Sequence, residues 1–316
     1  MIRRILLSFL TVVVLLAVVA PEFNPYTPQS RGYRSRDPRQ FGDLRTVGKL
    51  FFVSGGKPHV CTATSVASPH NNLIATSAQC LMDRQTGKPV QRPVFIPYYQ
   101  GRGRAPYGIY VVHTAFVHQL FFKGGGHSYA FATVYNGVPL DAAGLSQGEI
   151  KDLGRLGENV GGLGIQWNYK PASSYFAFGY PEGPHPDGTQ TFSGDRIEWC
   201  HGRPRWVTVI KGSTEESELG IDCDFTPGGI GSPIVAEYDD GRRSGYLAGI
   251  VDGVADTDKD GRIDFVSFAY FDSSVAELYE AARKCWTPPI NSRLTPERSS
   301  PCPGGVAFPL RNVDFP

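Results

Sequence analysis

The stretch Gly220-Ile-Asp-Cys-Asp-Phe-Thr-Pro-Gly-Gly-Ile-Gly-Ser-Pro-Ile-Val235 decides how the rest of this 316-residue sequence is interpreted. In it, a cysteine precedes a glycine-rich turn with Gly228, Gly229 and Gly231, and Pro233 leads from the turn into an apolar run. Glycines permit tight backbone conformations that other residues rarely adopt. The stretch therefore predicts a tightly folded loop that leads into a strand.

Short strand-like runs, each bounded by turn residues, precede and follow this loop. The sequence holds 37 glycines and 25 prolines, which favours short strands joined by many turns. The runs have no long helices between them, and this predicts an all-β protein, an antiparallel sandwich or barrel. They are Thr46–Val53, His59–Val66, Leu73–Ser77, Tyr107–Ala115, Ala130–Tyr135, Tyr175–Tyr180, Trp206–Ile210, Ser232–Glu237, Tyr246–Asp252 and Phe265–Tyr270.

One helix is expected late in the chain. Ser274-Val-Ala-Glu277 has the form of a capping box, and apolar residues follow at helical spacing as far as Ala282. Beyond Cys285 the sequence becomes rich in proline and serine, and Cys302 most simply ties this tail back to Cys285. We therefore divide the chain into residues 1–20, a flexible leader at 21–44, a compact domain at 45–285 and a disulfide-stapled tail at 286–316.

The first twenty residues have the pattern of an export signal. Arg3 and Arg4 precede an apolar run from Ile5 to Ala20. A cleaved signal peptide is the preferred interpretation, and an uncleaved membrane anchor is the alternative, although the run is short for a membrane span. The six cysteines agree with a secreted, disulfide-bonded protein. A metal site built from them is a weaker interpretation, because the sequence has no Cys-x-x-Cys pair.

The charge balance gives no indication of a nucleic-acid partner. Lys and Arg number 31 against 30 Asp and Glu, which leaves a net charge of +1. Proteins that bind nucleic acid without sequence preference rely on an excess of basic residues to neutralise phosphates. We therefore expect no nucleic acid among the partners, and contact with a membrane only if the N-terminal segment is retained.

Two further segments share the pattern of the opening loop. Cys61 begins an apolar strand segment that ends in Thr76-Ser-Ala-Gln-Cys80, and Gly126-His-Ser-Tyr-Ala-Phe-Ala-Thr-Val134 follows later. In this order, the three segments resemble the secreted, bacterial type of trypsin-like serine endopeptidase. The resemblance runs from about Val47 to Cys285. It implies two six-stranded antiparallel β-barrels with a cleft between them, the terminal helix packed on the second barrel, and disulfides Cys61–Cys80 and Cys200–Cys223.

The resemblance also implies that the catalytic triad is absent. It places Gln79 at the histidine position, Ser128 at the aspartate position and Ile230 at the nucleophilic serine position. Acyl transfer needs a nucleophile, a base that takes its proton and a group that orients the base. A butyl group cannot attack a carbonyl, and an amide accepts no proton near neutral pH. We therefore expect no catalytic residues and an inactive pseudoprotease.

Substitutes for the missing groups are few. Ser232 is the candidate for a displaced nucleophile, but side chains two residues apart on an extended segment are displaced by about 6–7 Å. His59 and His70 lie beside prolines, and we interpret them as exposed loop histidines. His127 adjoins the aspartate position and is the histidine expected nearest the cleft.

Functions that need no triad remain open. The oxyanion hole of the family consists of backbone N–H groups, which Gly228 and Ile230 would supply here, so we expect its geometry to survive. The strand Tyr246–Gly253 resembles the edge that pairs with an extended substrate, which favours binding of a peptide or secreted protein by strand addition. The alternative is that this strand only closes the barrel and Ile230 fills the cleft. An endopeptidase with a rearranged site and a structural extracellular scaffold are the other functional hypotheses.

A second candidate site has the composition of a calcium loop. Asp256, Asp258 and Asp260 alternate before Gly261, and Asp264 follows. Converging carboxylates are the ligands that calcium prefers, and a glycine permits the sharp turn between them. The twelfth position of an EF-hand would carry glutamate, whereas this chain has a serine there. A polar hairpin whose aspartates cap the turn is therefore the alternative interpretation.

Overall fold

The computed structural model describes residues 44–123, 127–140, 151–169, 174–211, 214–239, 241–290 and 302–308. The predicted export signal, and all of the leader except its last residue, lie outside these ranges. Among the helices described, none is long and apolar enough to span a membrane.

The first sheet closes into a six-stranded antiparallel barrel. β5 pairs with β4 on one side and with β6 on the other, and this second pairing completes the ring. Its interior is filled by buried apolar side chains, among them Leu50, Ile74 and Phe95. The strands are β1 (Val47–Ser54), β2 (Lys57–Val66), β3 (Leu73–Ser77), β4 (Gln91–Pro97), β5 (Tyr110–Val117) and β6 (Tyr129–Val134).

The second sheet remains an open half-barrel. Its order is β10-β11-β14-β13-β12-β8-β9, and β7 (Gly164–Ile165) pairs in parallel with β13. Within the described ranges no ladder joins β9 to β10 or β11. The disulfide Cys200–Cys223 connects β9 to the end of β11 across this gap. The strands are β8 (Tyr175–Gly179), β9 (Glu198–Gly202), β10 (Arg205–Lys211), β11 (Thr214–Asp222), β12 (Pro233–Asp239), β13 (Ser244–Ala255) and β14 (Phe265–Tyr270).

This architecture confirms the predicted all-β, two-barrel fold with a C-terminal helix. The prediction of two closed barrels needs correction for the second, because a side-chain crosslink takes the place of the closing ladder. Besides the short α1 (Leu156–Val160), the structure has α2 (Ser274–Arg283).

The position and start of α2 differ from the sequence prediction. The Tyr279 ring lies 5.6 Å from that of Phe131 on β6, and its hydroxyl donates to the carbonyl of Ala67. The helix therefore packs on the first barrel, not the second. The N-cap is Ser273 without a side-chain cap bond, and the backbone N–H of Ser274 instead donates to Asp272 at 2.8 Å. The capping-box prediction was wrong, because an aspartate one residue further upstream satisfies this N–H.

Three disulfides hold the fold, and all three predicted pairings are confirmed: Cys61–Cys80, Cys200–Cys223 and Cys285–Cys302. The last one fixes the tail beside the first barrel, where β15 (Val306–Ala307) pairs with β5. The described part of the tail thus adds a short strand to the first sheet.

Candidate functional site

Three segments meet where the two sheets adjoin, a place that we call the junction. The 3-10 turn Ala78–Cys80 follows β3, the 3-10 turn Pro227–Gly229 precedes β12, and the second half of β13 lies beside both. The backbone N–H of Thr62 donates to the carbonyl of Ile230 at 2.8 Å, and Gly231 donates to Val251 at 2.8 Å. The structure therefore brings together the segments that the sequence analysis singled out.

Gln79 is held by a residue that the sequence analysis did not select, Asp252 on β13. Its Nε2 donates to the Asp252 carbonyl at 2.8 Å and to Asp252 Oδ1 at 3.0 Å. The hydroxyl of Ser77 donates to the same carboxylate oxygen. Asp252 is buried, whereas Gln79 is exposed at the junction. A carboxylate from the second sheet thus contacts the residue at the histidine position.

Ser128 lies beside this group without taking its place. Its carbonyl accepts hydrogen bonds from the backbone N–H of Ala78 at 2.7 Å and from Ser77 Oγ at 3.2 Å. Its fully buried side chain accepts a hydrogen bond from Arg84 Nη2 at 3.4 Å. Among the residues that the structure describes, the carboxylate bonded to Gln79 therefore comes from Asp252, and Ser128 contributes no charge.

Ile230 stands at the end of the 3-10 turn. Its half-buried side chain packs against the interior cluster of the first barrel, which includes the Cys61–Cys80 disulfide. Its backbone N–H donates to the carbonyl of Pro227 at 3.0 Å. Ile230 therefore serves as an apolar contact between the sheets.

The oxyanion hole expected from the resemblance is closed by the protein itself. The N–H of Gly228 donates to the carbonyl of Glu182 at 3.1 Å, and that of Ile230 is bonded to Pro227. Both donors that would face a developing negative charge already have carbonyl partners. The expectation that the anion-binding geometry survives is therefore wrong, because the turn folds its own donors inward.

An ion pair between a buried lysine and a partly exposed glutamate fixes the segment that closes this turn. Lys49 on β1 forms an ion pair with Glu182, and its Nζ also donates to the carbonyl of Gly194 at 3.1 Å. The ammonium lies over the rings of Phe51 and Tyr99, at 5.3 Å and 5.2 Å from their centroids. The first barrel thus holds the residue whose carbonyl bonds to Gly228.

Ser232 is buried beside Gly179 on β8. Its side chain is fully buried, and its Oγ makes no hydrogen bond with described residues. A methyl group added at Gly179 would collide with this oxygen. The hydroxyl therefore faces the interior of the second sheet, close to β8.

The three histidines considered as bases lie apart from one another. His59 is exposed on β2, where its ring stacks on Phe52 at 5.6 Å, so it belongs to a strand and not to a loop. His70 lies in the turn before β3. His127 stacks on His118 at 4.4 Å, and burial together with the charge of His127 lowers the pKa of His118. Within the described ranges, none of them bonds to Ser232 or Ile230.

The open strand edge lies one step beyond the predicted segment. Residues 246–250 of β13 are flanked by β12 on one side, and by β7 or β14 on the other. Gly253, Val254 and Ala255 pair with β14 on one side only, and no described strand covers the other side. The prediction of an edge along Tyr246–Gly253 is therefore corrected to Gly253–Ala255.

The predicted calcium loop brings three of its four carboxylates together. Ligand oxygens of Asp256, Asp258 and Asp260 lie within 4.8 Å of one another. Asp264 is engaged elsewhere, because both of its oxygens accept hydrogen bonds from Thr257. The loop packs against residues 185–191, where the N–H of Asp187 donates to the carbonyl of Gly261.

Neighbouring groups in the loop shift the pKa of Asp258. The backbone N–H of Asp260 lowers the pKa of Asp258, yet desolvation and the carboxylates of Asp260 and Asp264 raise it more, so the net shift is upward. Oδ1 of Asp256 is buried and has no hydrogen-bond partner in the described chain. A cation among the three side chains would stabilise the charged form of Asp258 and would give Asp256 Oδ1 a partner.

Solved structures with this architecture are serine proteases. The protease Anisep from Arthrobacter nicotinovorans superposes with a TM-score of 0.60 at 22% identity, covering 77% of this chain and 97% of that one. The thermostable serine protease AL20 from an extremophilic microorganism gives a TM-score of 0.60 at 23% identity, covering 76% and 98%. A Glu endopeptidase gives 0.52 at 14% identity, covering 81% and 99%.

These comparisons establish the fold, which is that of the trypsin-like serine proteases. No protein-family model and no curated protein sequence matches the chain. Because the likeness to these structures is one of fold, the chemistry of this chain has to be derived from its own side chains.

Proposed function

We propose that this protein is a non-catalytic member of the trypsin-like fold that binds an extended segment of a peptide or protein. The observation that carries the proposal is Ile230, which holds the nucleophile position and has its N–H bonded to Pro227. A site that lacks both a nucleophile and a free oxyanion donor has lost the two groups that act on a scissile carbonyl.

The neighbouring groups support the same proposal. The amide of Gln79 cannot act as a general base, and its nitrogen is bonded to Asp252. The hydroxyl of Ser232 is buried against β8, which argues against an endopeptidase with a rearranged nucleophile. Removal of a triad member leaves roughly 10³–10⁴-fold of catalysis over water, and that remainder depends on the oxyanion hole and on binding.

The open edge of β13 supplies the binding half of the proposal. Gly253, Val254 and Ala255 are half-buried, and the side of this segment that faces away from β14 is covered by no strand within the described ranges. An extended peptide adds to such an edge through main-chain hydrogen bonds, without any contribution from a triad. A purely structural extracellular scaffold is the competing function, and it predicts that this edge takes no ligand.

Hydrolysis assays test the catalytic half. We expect no cleavage of casein or of a mixed peptide library, and no labelling by a fluorophosphonate, from wild type or from Ser232→Ala. Cleavage or labelling that disappears in Ser232→Ala would establish a rearranged nucleophile. Activity that persists in the variant would have to come from a contaminant or from a different site.

Amide hydrogen exchange tests the binding half. In the free protein, the bonded N–H groups of Gly228 and Ile230 should exchange slowly, whereas an amide of the segment Gly253–Ala255 that points away from β14 should exchange faster. A bound extended peptide should slow exchange at 253–255 by at least about tenfold and leave 228 and 230 unchanged. If the exchange rates at 253–255 are the same with and without every peptide and secreted partner tested, the structural-scaffold function would be favoured.

Export into an oxidising compartment fits this function. The three disulfides are of a kind that persists outside the cytoplasm. We propose that residues 1–20 direct export, with cleavage near Ala20 preferred to retention as an anchor. The mass of the mature protein distinguishes the two, because a retained segment adds twenty residues and keeps the protein in the membrane fraction.

Calcium binding is a second candidate function, favoured by the convergence of Asp256, Asp258 and Asp260. Hard oxygen ligands are those that calcium requires, and the backbone carbonyls of the same loop can add to the set. We expect calcium to raise the melting temperature by a few degrees and Asp258→Asn to remove the shift. An equal melting temperature in calcium, magnesium and chelator would leave the loop as a polar hairpin.

A further inference from the structure

The closed turn presents no free backbone donor to the junction. Every N–H group from residue 228 to residue 232 donates to a carbonyl of the protein at 2.8–3.1 Å. The acceptors are Glu182, Thr226, Pro227, Val251 and Gly229, in that order. A carbonyl oxygen or carboxylate of a ligand therefore finds no N–H partner along this segment.

The side chain of Gln79 has the opposite character. Its Nε2 donates to two acceptors of Asp252, the carbonyl and Oδ1. Only the NH₂ end of an amide can face two acceptors, so this orientation follows from the chemistry. The side chain is exposed, and its Oε1 makes no hydrogen bond with any described residue. The junction thus offers a fixed acceptor.

The carboxylate behind Gln79 strengthens that acceptor. An amide that donates to a charged group forms a stronger hydrogen bond and becomes more polarised, which increases the negative charge on its oxygen. Arg84, which donates to Ser128, has its guanidinium over the ring of Phe121 at 4.6 Å from the centroid. Asp252 therefore acts on the ligand through the orientation and polarisation of Gln79.

We propose that the junction binds a basic group of its ligand, the guanidinium or ammonium of an extended peptide, through Oε1 of Gln79 with Asp252 as the positioning residue. This inference rests on the proposed peptide-binding function and names the chemistry of the ligand. The oxyanion hole of an acyl-transfer enzyme offers hydrogen-bond donors to an oxyanion. The junction of this protein offers an acceptor instead, which favours a cation.

A matched peptide series tests the preference. Acetylated, amidated pentapeptides Ala-Val-Xaa-Val-Ala, with arginine, norleucine or glutamate as Xaa, are titrated into the full chain by calorimetry at low salt. We expect the arginine peptide to bind about tenfold more tightly than the norleucine peptide, and the glutamate peptide to bind weakest. Gln79→Leu should abolish the preference and leave the norleucine affinity unchanged.

Two further variants separate the acceptor from the surrounding structure. Asp252→Asn keeps an acceptor for Gln79 but removes the charge, so the preference should fall by a few fold while melting temperature and norleucine affinity persist. Gln85→Leu, at an exposed glutamine of the hairpin after Cys80, should change nothing. Peptide binding with equal affinity for all three peptides would overturn the inference while leaving the proposed function standing. Absence of binding by every peptide would overturn both.

Discussion

The turn Pro227–Gly229 and the strand end Gly253–Ala255 are neighbours, joined through the hydrogen bond from Gly231 to Val251, yet their backbone groups are in opposite states. In the turn every donor has an internal partner, whereas the strand end leaves one side unpaired. A backbone group bonded inside the protein cannot stabilise a transition state, but an unpaired edge can still bind a chain. The comparison teaches that donors bonded within the protein and an uncovered strand side can lie next to each other in one fold.

The largest effect is expected from a side chain placed where the turn crosses β2. Gly231 has a φ of +89°, and a Cβ there would collide with the carbonyl of Thr62 and with Thr76 Oγ1. We expect Gly231→Ala to lower the free energy of unfolding by about 4 kcal/mol, from clash and strain together. Gly55, with a φ of +57° and open space around it, is the matched control. Gly55→Ala should cost about 1 kcal/mol by chemical denaturation, and an equal loss in both would contradict the crowding argument.

The stability of the protein should depend on pH through a histidine that is buried away from the cleft. Burial lowers the pKa of His113, which lies between Thr133 on β6 and the Cys285–Cys302 disulfide, to about 4. Between pH 6.5 and 4 the unfolded chain takes up a proton at this residue and the folded chain does not, so stability falls as pH falls. The loss approaches about 3 kcal/mol below pH 4. His113→Gln should flatten this part of the stability profile, as measured by chemical denaturation at a series of pH values.

The ion pair between Lys49 and Glu182 can be used to test whether the first barrel holds the turn Pro227–Gly229 in its closed conformation. Lys49→Met removes the buried partner of Glu182, whose carbonyl accepts the Gly228 N–H. We expect a loss of about 2 kcal/mol and faster amide exchange at Gly228, since Glu182 then turns to water. Arg242→Met breaks an exposed pair with Asp239 and should cost less than about 1 kcal/mol. Unchanged exchange at Gly228 would show that the turn closes without this support.

The smallest effect is expected from restoring a hydroxyl at the nucleophile position. Ile230→Ser loses part of an apolar contact with the first barrel, worth about 1 kcal/mol for a half-buried side chain. No hydrolysis should appear, because Gln79 supplies no base and the turn still bonds its own donors. Measurable turnover by Ile230→Ser would mean that the turn opens when substrate binds, which would break the comparison between the two regions.

The local pattern of apolar residues predicted most of the strands. It failed where a strand contains proline or several charged residues. β4 contains Pro93 and ends at Pro97, and β11 carries a run of charged residues, so neither has the expected alternation. Both exist because neighbouring strands supply their backbone partners. Tertiary pairing outweighed the local signal at these two positions.

The candidate site was predicted unevenly for a related reason. Gln79, Ser128 and Ile230 are recognisable from short motifs, since each lies beside a cysteine, a strand signature or a glycine turn. Asp252 has no such motif, and it contacts Gln79 across 173 positions of sequence. The signal that was available is an ionisable residue within an otherwise apolar strand, Leu247 to Val254, where a buried carboxylate needs a partner.

The sequence by itself predicted the barrel class and the three disulfide pairings, because both depend on residue types at short spacing. Only the tertiary structure decided that the second sheet stays open, that the turn folds its donors inward, and that Asp252 holds Gln79. These features depend on which groups satisfy one another across long separations. A buried polar group takes whatever partner the packed chain brings within reach, and the order of residues does not specify that partner.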